Sequence, residues 1–547
     1  TGPVPGSNAW AIGPSRSASG NAMLLQNPHL PWRIPLMRFT EAHLVGPGVD
    51  LYGVTQIGVP VIAIGFNERL GWSHTVNRID AFDTWRLSLA GDGYRFDGAV
   101  RPFEVERQVM RIRDDDGELR ADTLVVRRSV HGPVVEMDDS TAVAVRTPLL
   151  QRHDWVEPWW RMGRARDLDE FEAASARLGV PMFTTVYADR DGHIYNLFGG
   201  QVPVRPSGDF ADWQMSAPGD TSATLWTEVH PYEDLPKVVD PPSGFVQNSN
   251  SPPWYATVPS PLDPADFPPY MAPPPWVNLR EARAIEMLLS DESITFDELI
   301  ELRYSTRMLL ADRLVDDLVD AARSYGGATG RAAADVLEAW DRNADADSRG
   351  AVLFAFWAQE VCASGSPPAG GGDGGHRCGV ETPWSVDAPF STPDGLADPE
   401  RAVAVLERVA GNVRERFGAL DVPWGDVMRL SPELRGNGAP GDPYGIFHVV
   451  TYAPSGDDAA DEPFLPVAGD TWVAAIEFGP DGPRARAILS YGNASRPDSP
   501  HHLDQLPLLS RREMREVWLE REEIEANLES RTPIGGEAVT TVEAGTR

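Results

Sequence analysis

A serine stands behind a glycine near the start of the chain, in Gly6-Ser7-Asn8-Ala9-Trp10. A serine hydroxyl is hardly ionised at neutral pH, and it attacks a carbonyl well only when a base takes its proton. One way to provide the base is to make the serine the first residue of a chain. Its own α-amine, with an unperturbed pKa of about 8, then accepts the proton directly or through a water. That chemistry needs a cut between Gly6 and Ser7, a small residue before the cut and a strand after it. On this pentapeptide alone an ordinary Gly-Ser turn is the alternative. Other hydrolytic arrangements lack their signatures. There is no Gly-x-Ser-x-Gly elbow and no His-Glu-x-x-His for a zinc protease. The two cysteines, Cys362 and Cys378, bracket a Gly/Pro/Ser-rich stretch at 364–375 without metal-ligand spacing. A disulfide and a pair of free thiols both remain open, and a disulfide would indicate an oxidising compartment.

The elements that must position Ser7 read as strands first. Short β-rich runs at 59–64, 124–128 and 184–188 are bounded by Gly, Pro or Asp. A short helix is expected at 168–178 and Pro/Trp-rich irregular chain at 251–276. Helical periodicity begins at Leu279. A second helix starts at Thr295, whose spacing to Glu298 makes a capping box. Helical signal continues through 330–362 and returns at 399–417, followed by strands between 445 and 490. A last helix at about 510–530 would place Met514, Val517, Trp518, Ile524 and Leu528 on one core-facing stripe. Strands, then helices, then strands predict an α+β sandwich and not a βαβ alternation.

The bulk numbers bound the function. With 547 residues the chain exceeds one ordinary core, and a 42% apolar content supports a packed interior. Its formal charge of −33 argues against nucleic acid or an anionic membrane as partner. Lys237 is the single lysine among otherwise arginine cations. No stretch reaches the roughly 18 apolar residues of a membrane span.

The wider sequence resembles the catalytic, large (beta) subunit of the penicillin and cephalosporin acylases, which are N-terminal-nucleophile hydrolases. The resemblance starts at Ser7-Asn8-Ala9-Trp10-Ala11 and Asn27-Pro28-His29-Leu30-Pro31-Trp32. It continues through Glu41-Ala42-His43-Leu44, Gly53-Val54-Thr55-Gln56 and His131-Gly132-Pro133-Val134. Further matches are Tyr187-Ala188-Asp189-Arg190-Asp191-Gly192, Gln247-Asn248-Ser249-Asn250-Ser251-Pro252, Pro423-Trp424-Gly425-Asp426 and Tyr491-Gly492-Asn493. These matches are collinear over nearly the whole chain. Within the family the chain most resembles glutaryl-cephalosporin acylases, and it is also similar to N-acyl-homoserine lactone and lipopeptide acylases.

The resemblance implies a four-layer αββα sandwich of two mainly antiparallel sheets with helical and β insertions. Residues 1–6 would be the end of a precursor linker and 7–280 the first part of the catalytic sandwich. A mainly helical segment would follow over 281–420, with the loop at 364–377. Residues 421–532 would form a returning β part with a C-terminal helix, and 533–547 a mobile tail. By position, Ser7 matches the nucleophile and His29 the residue that bonds near its amine. The backbone N–H of Val76 and the amide of Asn250 match the oxyanion donors, and Arg280 matches an arginine orienting Asn250. The resemblance also implies a small alpha subunit cut from the same precursor, a periplasmic or secreted location and no cofactor for catalysis. It suggests a structural calcium at Asp80, the carbonyl of Phe82 and Asp83, because oxygen ligands suit a hard cation.

The departures bear on substrate. Glutaryl-cephalosporin acylases hold the substrate carboxylate with an arginine and a tyrosine, where this sequence has Ala63 and Phe39. A carboxylate buried without a positive partner is costly. Leu30, Phe39, Ala63 and Phe183 would instead line an apolar acyl pocket, with Trp159 and Trp160 closing it. The expected activity is hydrolysis of an amide-linked apolar acyl chain. The alternatives are a β-lactam side-chain acylase and, in another class, a non-catalytic binding relative.

Overall fold

Two antiparallel sheets stacked face to face carry the candidate residues. The computed structural model describes residues 6–151, 154–180, 182–363, 378–454 and 463–533. In the first sheet the strands run in the order Phe245–Asn248, Gly6–Ile12, Met23–Pro31, Trp472–Gly479, Gly482–Leu489 and Arg515–Glu516. The strand Phe464–Asp470 also pairs with Met23–Pro31 and carries Val450–Pro454 on its other edge. In the second the order is Lys237–Val239, Ile194–Phe198, Phe183–Asp189, Leu70–Val76, Ile64–Asn67, Val49–Gln56 and Phe39–Gly46.

Strand alternation decides which side chains face which layer. Ala9 pairs with Gln26, whose amide donates to the carbonyls of Gly65 and Trp72 at 3.0 and 2.8 Å in the second sheet. Ser7, in phase with Ala9, therefore faces the second sheet. Asn8 and Trp10, one residue out of phase, face the opposite side, where Trp10 stacks on Phe447. Helices Leu279–Ser290 and Phe296–Arg303 bury Ala284, Met287, Leu288, Phe296 and Leu299 against the first sheet. Helices Val156–Arg164 and Leu168–Ser175 bury Trp159, Met162 and Phe171 against Trp72 and Tyr187 of the second. The result is helix, sheet, sheet, helix, the expected α+β sandwich.

Two insertions have cores of their own. A third sheet spans Asp83–Ala90 through Thr141–Arg146 around Trp85, Leu87 and Tyr94, and sends out the exposed hairpin Glu104–Arg113 and Leu119–Ser129. Helices Leu309–Tyr325, Ala328–Glu338, Ala351–Ala363 and Pro399–Phe417 enclose a separate apolar cluster including Leu314, Leu318, Leu337 and Leu406. That cluster begins at Met308, since the two preceding helices pack on the sandwich. The Thr295–Glu298 capping box forms with both of its hydrogen bonds.

Three local expectations are corrected. The 59–64 run is irregular until Ile64. The 330–362 signal is two helices, interrupted between Glu338 and Ala351. The continuous 510–530 helix does not form. A helix ends at Arg511 with Arg512 in the left-handed region, and Arg515–Glu516 then pairs with Arg486 and Ala487 as an edge strand. Arg515 also forms an ion pair with Glu41, which accepts from Tyr52 as well. Sheet pairing and this ion pair override the helical periodicity, leaving Trp518 and Leu528 exposed. Cys362 and Cys378 are disulfide-bonded. The stretch at 364–377 and the tail from 534 lie outside the described residues.

The sandwich tolerates close backbone approach only where Cβ is missing. Gly65 lies opposite Gly53, and a Cβ there would meet the Tyr52 carbonyl oxygen at 2.3 Å and Ile62 Cγ2 at 2.7 Å. Gly65→Ala is expected to cost about 1–3 kcal/mol through forced strand separation, read as a lower Tm by calorimetry. An unchanged Tm would show that these strands part freely.

Candidate active site

Ser7 lies at the start of an interior strand and is buried, with His29 nearby on the neighbouring strand, where Gly6 pairs with His29 and Ser7 with Pro28. Its backbone N–H donates to Asn250 Oδ1 at 2.7 Å. Its hydroxyl contacts the carbonyl oxygen of Gly6. A Cβ on Gly6 would stand 3.0 Å from Asn250 Oδ1, 3.5 Å from Arg280 Nη2 and 3.6 Å from His29 Nδ1. The Gly6–Ser7 peptide thus passes between the three side chains that the sequence singled out.

Asn250 is buried at φ +73°, a left-handed conformation that asparagine accepts more readily than most residues. Arg280 fixes which way its amide points. The arginine sits in the first turn of the helix capped by Asn278, with the guanidinium buried, and burial lowers its pKa. Its Nη2 donates to Asn250 Oδ1 at 2.7 Å and its Nη1 to the Ser7 carbonyl at 2.7 Å, with a further bond to Asn8 Oδ1. Asn250 Oδ1 therefore receives two donors, and Nδ2 is turned to the Val76 carbonyl at 2.7 Å. That bond uses one of the two amide hydrogens. Val76 ends its strand, and the structure brings it together with Asn250, Ser7 and Arg280. Asn278 braces the same loop, donating to the Ser249 carbonyl at 2.8 Å and Ser251 Oγ at 2.9 Å.

Behind His29 stands a group that the sequence reading missed. Asp470 is fully buried, pairs with His29 in strand register, and lies 3.2 Å from His29 Nε2. It accepts from Asn27 Nδ2 at 3.0 Å, lies 2.6 Å from His448 Nδ1, and is ion-paired with Arg303. Burial alone would raise its pKa. The Arg303 charge and the bonds from both histidines outweigh this and hold the carboxyl well below its usual range. His29 Nε2 faces two acceptors, Asp470 Oδ1 and Asn27 Oδ1 at 3.2 Å, so Nε2 carries the hydrogen and Nδ1 keeps its lone pair toward Gly6. Burial pushes the His29 pKa down to about 4, against the raising effect of Asp470.

The acyl-pocket residues divide. Trp159 and Phe183 meet around the buried His74: Trp159 Nε1 donates to His74 Nε2 at 2.9 Å, and the Phe183 ring lies 5.6 Å from the imidazole. Phe183 pairs with Val76 across two strands. Ala63 belongs to the same apolar cluster, whereas Phe39 and Leu30 pack in the cluster between the sheets. Trp160 turns the other way on its helix and lines an outer groove with Arg161, Arg164 and Arg177.

The suggested calcium ligands Asp80, Phe82 and Asp83 lie beside a cation of the chain itself. Both carboxylates close on the buried guanidinium of Arg205, at 3.0 and 2.9 Å, and Phe82 is exposed. Among the described residues no group of three or more His, Cys, Asp or Glu side chains is arranged to hold a metal.

The low His29 pKa has a signed consequence. The unfolded chain protonates this histidine at about 6.5 and the folded chain only at about 4. Its contribution, about 3 kcal/mol by linkage, is therefore complete above pH 6.5 and is lost as pH falls toward 4. Denaturant unfolding at pH 7, 6 and 5 should show falling stability, with a shallower fall for His29→Gln. Equal slopes would show that His29 is not held neutral.

The penicillin amidase family model matches residues 2–526. Acyl-homoserine lactone acylase PvdQ of Pseudomonas fluorescens is 28% identical over 552 residues, covering 92% of this chain and 67% of that one. The PvdQ of Pseudomonas putida is 28% identical, with 96% and 70% covered. Aculeacin-A acylase of Actinoplanes utahensis is 29% identical over 574 residues, with 93% and 67% covered. The solved structure of a thermostable penicillin G acylase from Alcaligenes faecalis superimposes with a TM-score of 0.67 at 18% identity. It covers 97% of this chain and all of that one, a likeness in fold.

Proposed function

The chain belongs to the penicillin amidase family and is an amide-hydrolysing enzyme, and we propose on that premise that it releases an apolar acyl chain through an acyl-enzyme on Ser7. The observation that carries this is Asn250. One side chain accepts the Ser7 N–H and keeps its amide nitrogen at the end of the Val76 strand.

Maturation comes first. The Ser7 hydroxyl, already against the Gly6 carbonyl, attacks it, and the Gly6–Ser7 amide becomes an ester while the proton passes to nitrogen. Water then opens the ester, leaving a carboxylate on Gly6 and a free amine on Ser7. Glycine before the bond leaves room for the attack.

In turnover the hydroxyl attacks the substrate carbonyl and the α-amine takes its proton. The second hydrogen of Asn250 Nδ2 and the Val76 N–H meet the charge that develops on oxygen. The amine then hands its proton to the leaving nitrogen, and water releases the acid by the same route. His29 Nδ1 accepts from the new amine through its single lone pair and so orients that amine toward the hydroxyl. Arg280 holds Asn250 in the orientation that exposes the donor. Ala63, buried in the apolar cluster that holds Trp159 and against which Phe183 packs, supports an apolar acyl group over a dicarboxylate one. The relatives named as acyl-homoserine lactone acylase and aculeacin-A acylase support the coarser reading, acyl-amide hydrolysis.

A small subunit from the same precursor would complete the enzyme, as the family resemblance implies. The Cys362–Cys378 disulfide supports a periplasmic or secreted location. Among the described residues no helix is long and apolar enough to cross a membrane.

Ser7→Ala is expected to abolish both the cut and the activity. Ser7→Cys should still cleave while losing most turnover, since a thiol is more nucleophilic but differs in size. Mass spectrometry beside an acyl-amide assay reads both, and full turnover from a chain intact at Gly6–Ser7 would overturn the proposal. Asn250→Ala should lower kcat about 100- to 1,000-fold, and an acyl panel should favour aliphatic or aromatic chains over glutaryl.

A further inference from the structure

We propose that the guanidinium of Arg205 is the resident cation of the Asp80–Asp83 pocket, so that this protein secures the segment after Val76 without a divalent ion. The segment needs a cation. Between the end of the Leu70–Val76 strand and the start of Asp83–Ala90 the chain has no regular structure, yet it buries Ile79, Asp80 and Ala81. Two carboxylates three residues apart are drawn inside with it, and unpaired they would repel each other at high cost.

Arg205 meets both. Its Nε and Nη2 fork onto the two oxygens of Asp83 at 3.2 and 2.9 Å. Nη2 also donates to the Asp80 backbone carbonyl at 2.7 Å and lies 3.0 Å from its carboxylate. Trp226 Nε1 completes the second Asp83 oxygen at 2.6 Å. The pocket is shaped for a flat cation, since the rings of Trp213 and Tyr270 lie 5.0 and 5.7 Å from the guanidinium carbon. A planar guanidinium stacks on aromatic faces, whereas a calcium ion needs six to eight oxygens. Both Asp83 oxygens and the Asp80 backbone carbonyl are already bonded to nitrogen.

The balance of charge is incomplete. One positive charge faces two negative ones, and Asp80 Oδ2 and Arg205 Nη1 are buried without a hydrogen-bond partner. Burial pushes the Asp80 carboxyl up to about 6 despite Arg205. A pocket with this surplus of carboxylate oxygen accepts a divalent cation once the guanidinium is removed.

The test uses the full chain dialysed against EDTA, with calcium chloride as the probe. Wild-type protein should hold no calcium by elemental analysis, and its Tm should move by less than about 1 °C when millimolar calcium is added. Arg205→Ala should lose roughly 5 °C in Tm, the cost of two uncompensated buried carboxylates, and should regain part of it with calcium. Arg205→Lys, which keeps the charge but not the fork or the stack, should fall between the two without a calcium response, and it serves if the alanine variant does not fold. Stoichiometric calcium in the wild type, a wild-type Tm raised by calcium, or an Arg205→Ala Tm equal to wild type overturns the proposal. A destabilised Arg205→Ala chain indifferent to calcium overturns the reading of the pocket as a cation site. None of these outcomes depends on the acylase reading.

Discussion

The buried charge on Asp470 is the interaction from which the rest of the site takes its orientation. A carboxylate fully removed from water stays ionised only if its lost hydration is replaced. Arg303 provides the opposite charge, Asn27 and His29 provide donors, and His448 packs its Nδ1 against the second oxygen. Because Asp470 can only accept, Asn27 and His29 must each present a hydrogen to it. This determines which nitrogen of His29 is bare and points it at the Gly6–Ser7 bond. His448 in turn is fixed from its far side by Asn437 at 2.7 Å. The chemistry at Ser7 thus rests on electrostatics one layer behind it.

The two-sheet architecture explains why the serine is at a strand end. Alternation in the Gly6–Ile12 strand separates Ser7 from Asn8, so the hydroxyl faces the sheet holding Val76 while Asn8 joins the Arg280 and Asp470 side. A helix or loop at this position would not divide neighbouring residues so cleanly between layers. The Phe245–Asn248 strand, paired with the Ser7 strand, delivers the Asn250 loop to the same edge. The Asn278-capped helix then locks that loop with two bonds.

Much of this was legible in sequence, for separable reasons. The helix beginning at Leu279, the Thr295 capping box and the 399–417 helix are local patterns, and local patterns were enough. Ser7, His29, Val76, Asn250 and Arg280 were found by resemblance, and the fold brings all five together. Asp470 and Arg303 carried no signal. Asp470 is 443 residues from Asn27, and an aspartate in Ala-Gly-Asp-Thr reads like any turn acid until the strands pair. Arg205 was overlooked for the same reason, lying 122 residues from Asp83. The C-terminal stripe misled because periodicity cannot weigh the pairing that Arg515–Glu516 gains from a preformed sheet edge.

The backbone at Asn250 narrows what substitution can reach. At φ +73° a β-branched or bulky residue is strained, which leaves glycine, asparagine and aspartate as the cheap occupants. Glycine offers no side chain, and aspartate offers oxygen on both arms, setting a second acceptor against the Val76 carbonyl where a donor now stands. Conformation and hydrogen-bond polarity, each permissive alone, intersect at a single amino acid. A random single-residue library at this codon should therefore contain one active genotype class. Recovery of activity from any other residue would require a compensating change in the Val76 strand or the Arg280 helix, which makes this position a clean anchor for selecting second-site suppressors.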